Sequence, residues 1–177
     1  MEKKKRTVIG ILFAGIIVLA AVVFLPQSHT EKKQAELFLK RLCREARELS
    51  FSVREVTRQR DLSFSKELDA VKRQFDVFAE TARKTENMTE SEIKGFDRFE
   101  NALGYCGSRI RVIWEADREG KCMVPDEVLF LDTLDESLCV LTDRLQEENG
   151  GLAVSNAEQY SEILSEFSGS IGNAGRR

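Results

Sequence analysis

Apolar residues in this chain fall first in one unbroken block and afterwards in thin stripes. The block runs from Thr7 to Leu25 and contains no charged residue. As a helix it would span about 28 Å, close to the roughly 30 Å hydrocarbon thickness of a bilayer. Pro26 closes it. Beyond Glu31 the apolar residues recur at spacings of three and four, which line up one helical face.

The first stripe is Phe38, Leu42, Ala46, Leu49, Val53 and Val56. A second, Phe64, Leu68, Val71, Phe75, Phe78 and Ala82, alternates four and three as a heptad seam does. The two are out of phase, since continuing 42, 49, 56 leads to Ser63 rather than Phe64. A tight turn near 60–62 explains the break, and a stutter within one long helix is the alternative. The third stripe is Ile93, Phe96, Phe99, Leu103, Cys106, Ile110 and Trp114. The fourth is Val128, Leu131, Leu134, Leu138, Leu141 and Leu145, and a short fifth is Tyr160, Ile163, Leu164 and Phe167.

Boundary signals agree with this division. Residues 31–86 contain neither glycine nor proline. Ser28 to Glu31 and Thr89 to Glu92 have the capping-box form, and Ser155 to Glu158 offers a further cap. Pro125-Asp-Glu suits a first helical turn, with acids near the positive end of the dipole. Gly120 and Asn149-Gly-Gly151 mark stops. The expected fold is therefore all-α: a single N-terminal transmembrane helix, then an up-down antiparallel four-helix bundle with a short fifth helix. Residues 1–6 form a basic tail, 7–25 the anchor, 28–168 the bundle, and the glycine-containing 169–177 a disordered end.

Charge supplies orientation. Lys3, Lys4, Lys5 and Arg6 precede the apolar block, which keeps that end cytoplasmic and sends the bundle across. A cleaved signal peptide has the same basic start, with a shorter apolar core. Either reading exports the bundle; the anchor reading makes this a single-pass plasma (inner) membrane protein. The formal charge is −3 overall and residues 2–6 carry +3, leaving −6 for the remainder. An acidic exported domain is a poor partner for nucleic acid or anionic lipid surfaces.

Four cysteines in an exported domain point to disulfides. Cys106 and Cys139 lie at similar distances either side of Cys122, so in an antiparallel hairpin they stand at nearly the same height. They are the expected pair, provided that the helices approach closely enough for a disulfide. Gly104 and Gly107 thin the helix beside Cys106. Cys43 and Cys122 stay unassigned, and Cys43 competes for either partner by height. Four buried, reduced thiols are the competing arrangement.

Reaction chemistry is sparse. The one histidine, His29, rules out Glu-x-x-His di-metal motifs and paired-histidine zinc sites. No nucleophile-elbow, phosphate-loop or dinucleotide pattern occurs. Glutamates on the first helix interleave with Lys and Arg as solvated i, i+4 pairs. Arg54, Arg58, Arg60 and Lys66 form either a solvated turn region or a patch for an acidic partner. Asn87-Met-Thr89 matches a glycosylation sequon, which matters only in a eukaryotic secretory route.

No enzyme, cofactor or metal is expected. The leading expectation is a membrane-anchored extracytoplasmic scaffold or interaction protein of the cell envelope, holding a protein partner or a second copy of itself. The alternative is a ligand-sensing bundle acting through a partner, its small-molecule ligand unknown. The layout is similar to the sensor bundles of chemoreceptors and to single-anchor phage lysis proteins, with no shared motif.

Overall fold

The computed structural model describes residues 33, 36–58, 65–84, 96–146 and 157–174. These build helices α1 (36–58), α2 (Ser65–Arg83), α3 (Phe96–Arg118), α4 (Pro125–Leu145) and α5 (Ala157–Ala174). No strand occurs among the described residues. The basic tail, the apolar block 7–25, the capping signals at 28–31, 89–92 and 155–156, the turn at 60–62 and the stop at 149–151 lie outside them. Among the described residues no helix is long and apolar enough to cross a membrane. The described residues from Phe38 onward form one compact unit.

The stripes face one another in a single core. Leu42, Ala46, Leu49 and Val53 of α1, Val71 and Phe78 of α2, and Leu134, Leu138 and Leu141 of α4 are all fully buried. Chain direction follows from polar contacts between helices. Trp114 of α3 donates its indole N–H to Asp69 of α2 at 2.5 Å, and Arg83 pairs with Glu100 at 3.6 Å, so α2 and α3 are antiparallel. Ser137 meets Ser170 at 2.7 Å and Arg144 pairs with Glu166 at 3.7 Å, which sets α4 against α5 in the same way. Arg41 of α1 acts electrostatically on Glu80 of α2. In one continuous helix these two residues would stand about 58 Å apart, so the chain reverses between α1 and α2, as the phase break implied.

The fifth helix is not the short accessory expected. It spans Ala157–Ala174, continues into the segment expected to be disordered, and packs on both α3 and α4. Ile171, four residues beyond Phe167, is 1% exposed and extends the stripe by a turn. Gly169 and Gly172 flank it and mask the signal in the sequence. The ring of helices runs α1, α2, α3, α5, α4 and back to α1, a five-helix up-down arrangement. The α3 and α4 backbones stay apart over most of their length. Tyr105 and Arg109 reach across instead, onto opposite sides of the gap from Phe130, at 6.0 Å between rings and 5.5 Å from the guanidinium carbon.

Helix ends obey the expected chemistry where they are described. Gly120 has φ 74°, and the Lys121 N–H bonds to the Ala116 carbonyl at 3.0 Å, a glycine stop to α3. Pro125 opens α4, and Glu127 accepts from the Val124 N–H at 2.9 Å. On α3 the buried face takes Ile113 in place of Trp114, which lies at its edge beneath Arg118 at 4.7 Å.

The two glycines beside Cys106 differ. A Cβ on Gly104 meets nothing within 4 Å, whereas one on Gly107 falls 3.0 Å from the Phe75 ring. Phe75 is 4% exposed and cannot swing outward. Gly104→Ala is expected to raise stability by about 0.5–1 kcal/mol, and Gly107→Ala to lower it by about 1–3 kcal/mol. Denaturant midpoints of the two variants check this opposition in sign.

Candidate functional site

The densest polar cluster lies between α1 and α4. Ser50 and Arg54 are one turn apart on α1, and Asp135 and Cys139 one turn apart on α4, so the two pairs face each other as a four-cornered patch. Arg54 Nε donates to Asp135 Oδ2 at 2.7 Å, and the Ser50 hydroxyl donates to Oδ1. Arg54 Nη2 lies 2.7 Å from Cys139 Sγ, which also sits 3.7 Å from the Ser50 hydroxyl and 3.8 Å from Asp135 Oδ1. The Asp135 carboxylate pushes the Arg54 guanidinium further above its ordinary value, first through the hydrogen bond and then through its charge.

Each carboxylate oxygen therefore already has a donor. A side chain committed in this way clasps two helices. The cluster is half open to solvent, with the Asp135 side chain 18% and the Arg54 side chain 44% exposed. Each of the four follows a core residue directly: Leu49, Val53, Leu134 and Leu138. Two polar i, i+4 pairs at the edges of two apolar stripes are a signal that sequence reading could have used.

The cysteines do not pair: all four are free thiols. Cys139 does not point toward Cys106. Phe130 faces α3, and Cys139 follows it by nine residues, about two and a half turns, which puts the sulfur on the opposite side of α4, toward α1. With α5 packed against both helices, the close approach that a bridge requires is absent. Burial pushes the Cys106 thiol up to about 12 and the Cys43 thiol to about 11, the latter offset in part by the charge of Arg47. Cys122 is exposed in the turn between α3 and α4. Among the described residues no group of His, Cys, Asp and Glu is placed to hold a metal ion.

No family model matches the chain, and no characterised protein or solved structure matches it significantly. What this cluster does is therefore argued from its own geometry.

Two outcomes follow. Alkylation of the folded protein at pH 8 is expected to modify Cys122 and Cys139, and Cys43 and Cys106 only after denaturant; with its pKa near 11, about one Cys43 in a thousand is ionised at that pH. Rapid modification of Cys106 under native conditions, read by mass spectrometry, would refute the packing. Asp135→Ala strands the Ser50 hydroxyl and the Arg54 guanidinium and is expected to cost about 1–2 kcal/mol in chemical denaturation.

Proposed function

We propose that this protein is a membrane-anchored scaffold of the cell envelope, its bundle held outside the cytoplasm, that works by binding a protein partner and not by catalysis. The observation that carries the reading is how the described residues use their chemistry. The thiol, hydroxyl, carboxylate and guanidinium that come together are engaged with one another across α1 and α4. The outer faces of the same two helices, meanwhile, present large apolar side chains to solvent. Phe51 is 64% exposed and Val140 48%. Single exposed apolar residues are ordinary; two at one height on adjacent helices, among charged side chains, suit a contact surface.

The sensing alternative draws on one feature. A hollow between α2, α3 and the start of α4 is lined by Leu68, Ile113, Asp117, Lys121 and Met123. Its enclosed space is about 10 Å³, room for about one water, against about 300–1,000 Å³ for small-molecule pockets. A scaffold is the better supported reading.

Fractionation checks the anchor and the side of the membrane together. The full chain is expected to sediment with membranes and resist carbonate extraction. A C-terminal tag should be digested by protease added from outside the cytoplasmic membrane. An intact chain in the soluble cytosolic fraction would sink the proposal.

A further inference from the structure

We infer that the partner is a second copy of the chain, met through the outer face of α1 and α4; this rests on the scaffold reading above. On α1 the residues Arg44, Arg47, Phe51, Arg54 and Arg58 follow a three-four spacing that keeps them along one side of the helix. All five are exposed. The neighbouring side of α4 carries Leu129, Asp132, Glu136, Val140 and Asp143, also at helical spacing and also exposed. A basic seam and an acidic seam thus run side by side, each with an apolar residue at its middle.

The acids are the informative half. Arg44 and Arg58 already have partners on α1, Glu45 at 2.9 Å and Glu55 at 3.8 Å. Asp132, Glu136 and Asp143, by contrast, make no ion pair among the described residues. Nothing within the described bundle answers this stripe, and the α1 seam of a second molecule has the complementary sign.

Symmetry decides how two copies meet. A two-fold axis perpendicular to the helices lays α1 on α1 and α4 on α4, like charge against like. An axis parallel to the helices lays α1 of each chain on α4 of the other, basic on acidic, twice over. The parallel axis also keeps both N-termini at the same end, as two chains tethered in one membrane require. It preserves height along the bundle. Ser50 lies 3.7 Å from Cys139 within one chain, so Phe51 and Val140 share a level, and Phe51 meets Val140 of the partner subunit. With α1 and α4 antiparallel, Arg47 then approaches Asp143 of the partner subunit, and Arg58 approaches Asp132 of the partner subunit.

The face is small. Its seams run about 20 Å along the helices and two helices give a similar width, on the order of 400 Å² per chain in projection. That is about half the area of a standard specific interface. Such a surface holds molecules already confined together, as a shared membrane confines them.

The test uses the full chain in membranes. Two differently tagged copies are co-expressed, one with Phe51→Cys and one with Val140→Cys, and oxidised with copper phenanthroline. A mixed-tag disulfide dimer is expected, well above the background from chains with only the native cysteines. Arg47→Glu with Arg58→Glu in the Phe51→Cys copy should lower its yield about tenfold. Asp132→Lys with Asp143→Lys in the other copy should restore it, which a misfolded chain could not do. Absence of the mixed dimer in membranes that hold folded chains overturns the inference. If those chains cross-link to each other or to another protein only elsewhere, through Cys122 for instance, the scaffold reading stands and this interface does not. A chain recovered in the cytosol removes both.

Discussion

Phe167 sits where α2, α3 and α5 meet, its ring 5.4 Å from Phe99 and 6.4 Å from Phe78. It is almost fully buried, as are both of the rings it touches. Offset and edge-on aromatic pairs add about 0.5–1.5 kcal/mol each beyond the area they bury, but their larger effect is on arrangement. With its aromatic side chain between α2 and α3 and Ser170 against Ser137 of α4, α5 holds the α3 and α4 backbones apart. A helix inserted there turns four helices into a ring of five, and α1 is left to close the ring against α4.

That closure is where apolar packing gives least direction. Leu49 and Val53 can slide along Leu134 and Leu138 by a turn with little change in contact. The Ser50, Arg54, Asp135 and Cys139 cluster cannot, because a one-turn slip strands a guanidinium and a carboxylate together. Partly exposed ion pairs contribute little net stability, so the role of the clasp is in selecting register. Selection of this kind is the best-attested use of polar groups at a helix interface. The same register aligns the outer seams of α1 and α4, so the charge pattern outside depends on the hydrogen bonds within.

Much of the fold was legible because helical periodicity is a strong local signal. The buried residues of α1, α2 and α4 are nearly those that three-four spacing selects, and the phase break after Val56 does mark a chain reversal. What spacing along one helix cannot give is which helix lies beside which. The near-equal spacing of Cys106 and Cys139 from Cys122 speaks only to height, and height fixes only one of the coordinates of a side chain. Direction around the axis depends on the neighbour, and the short apolar stripe of α5 does not announce a helix that packs on both α3 and α4. Its length was hidden by Gly169 and Gly172, which lower helix propensity by about 1 kcal/mol each while Ile171 between them is buried. Phe130 escaped for a related reason: it falls beside the heptad seam of α4 and is buried only because the gap to α3 needs a large ring to fill it. The polar clasp joins residues more than eighty positions apart, beyond the reach of any local pattern.

The division of charge between α1 and α4 is more than an apolar interior requires of its surface. An evenly mixed surface would keep the domain soluble equally well, so solubility alone does not account for seams of opposite sign on adjacent helices. Neither does intrachain pairing: Arg54 is the one guanidinium on the α1 seam that the α4 carboxylates engage, and it reaches inward to Asp135 rather than outward to Glu136. Charges across an interface act more on orientation and encounter than on affinity. The proposed self-contact, half the usual size and led by charge, would discriminate strongly between ways of meeting and bind weakly in each. Those properties suit a component whose concentration is set by confinement, where the energetic problem is not to attract a partner but to refuse the wrong orientation.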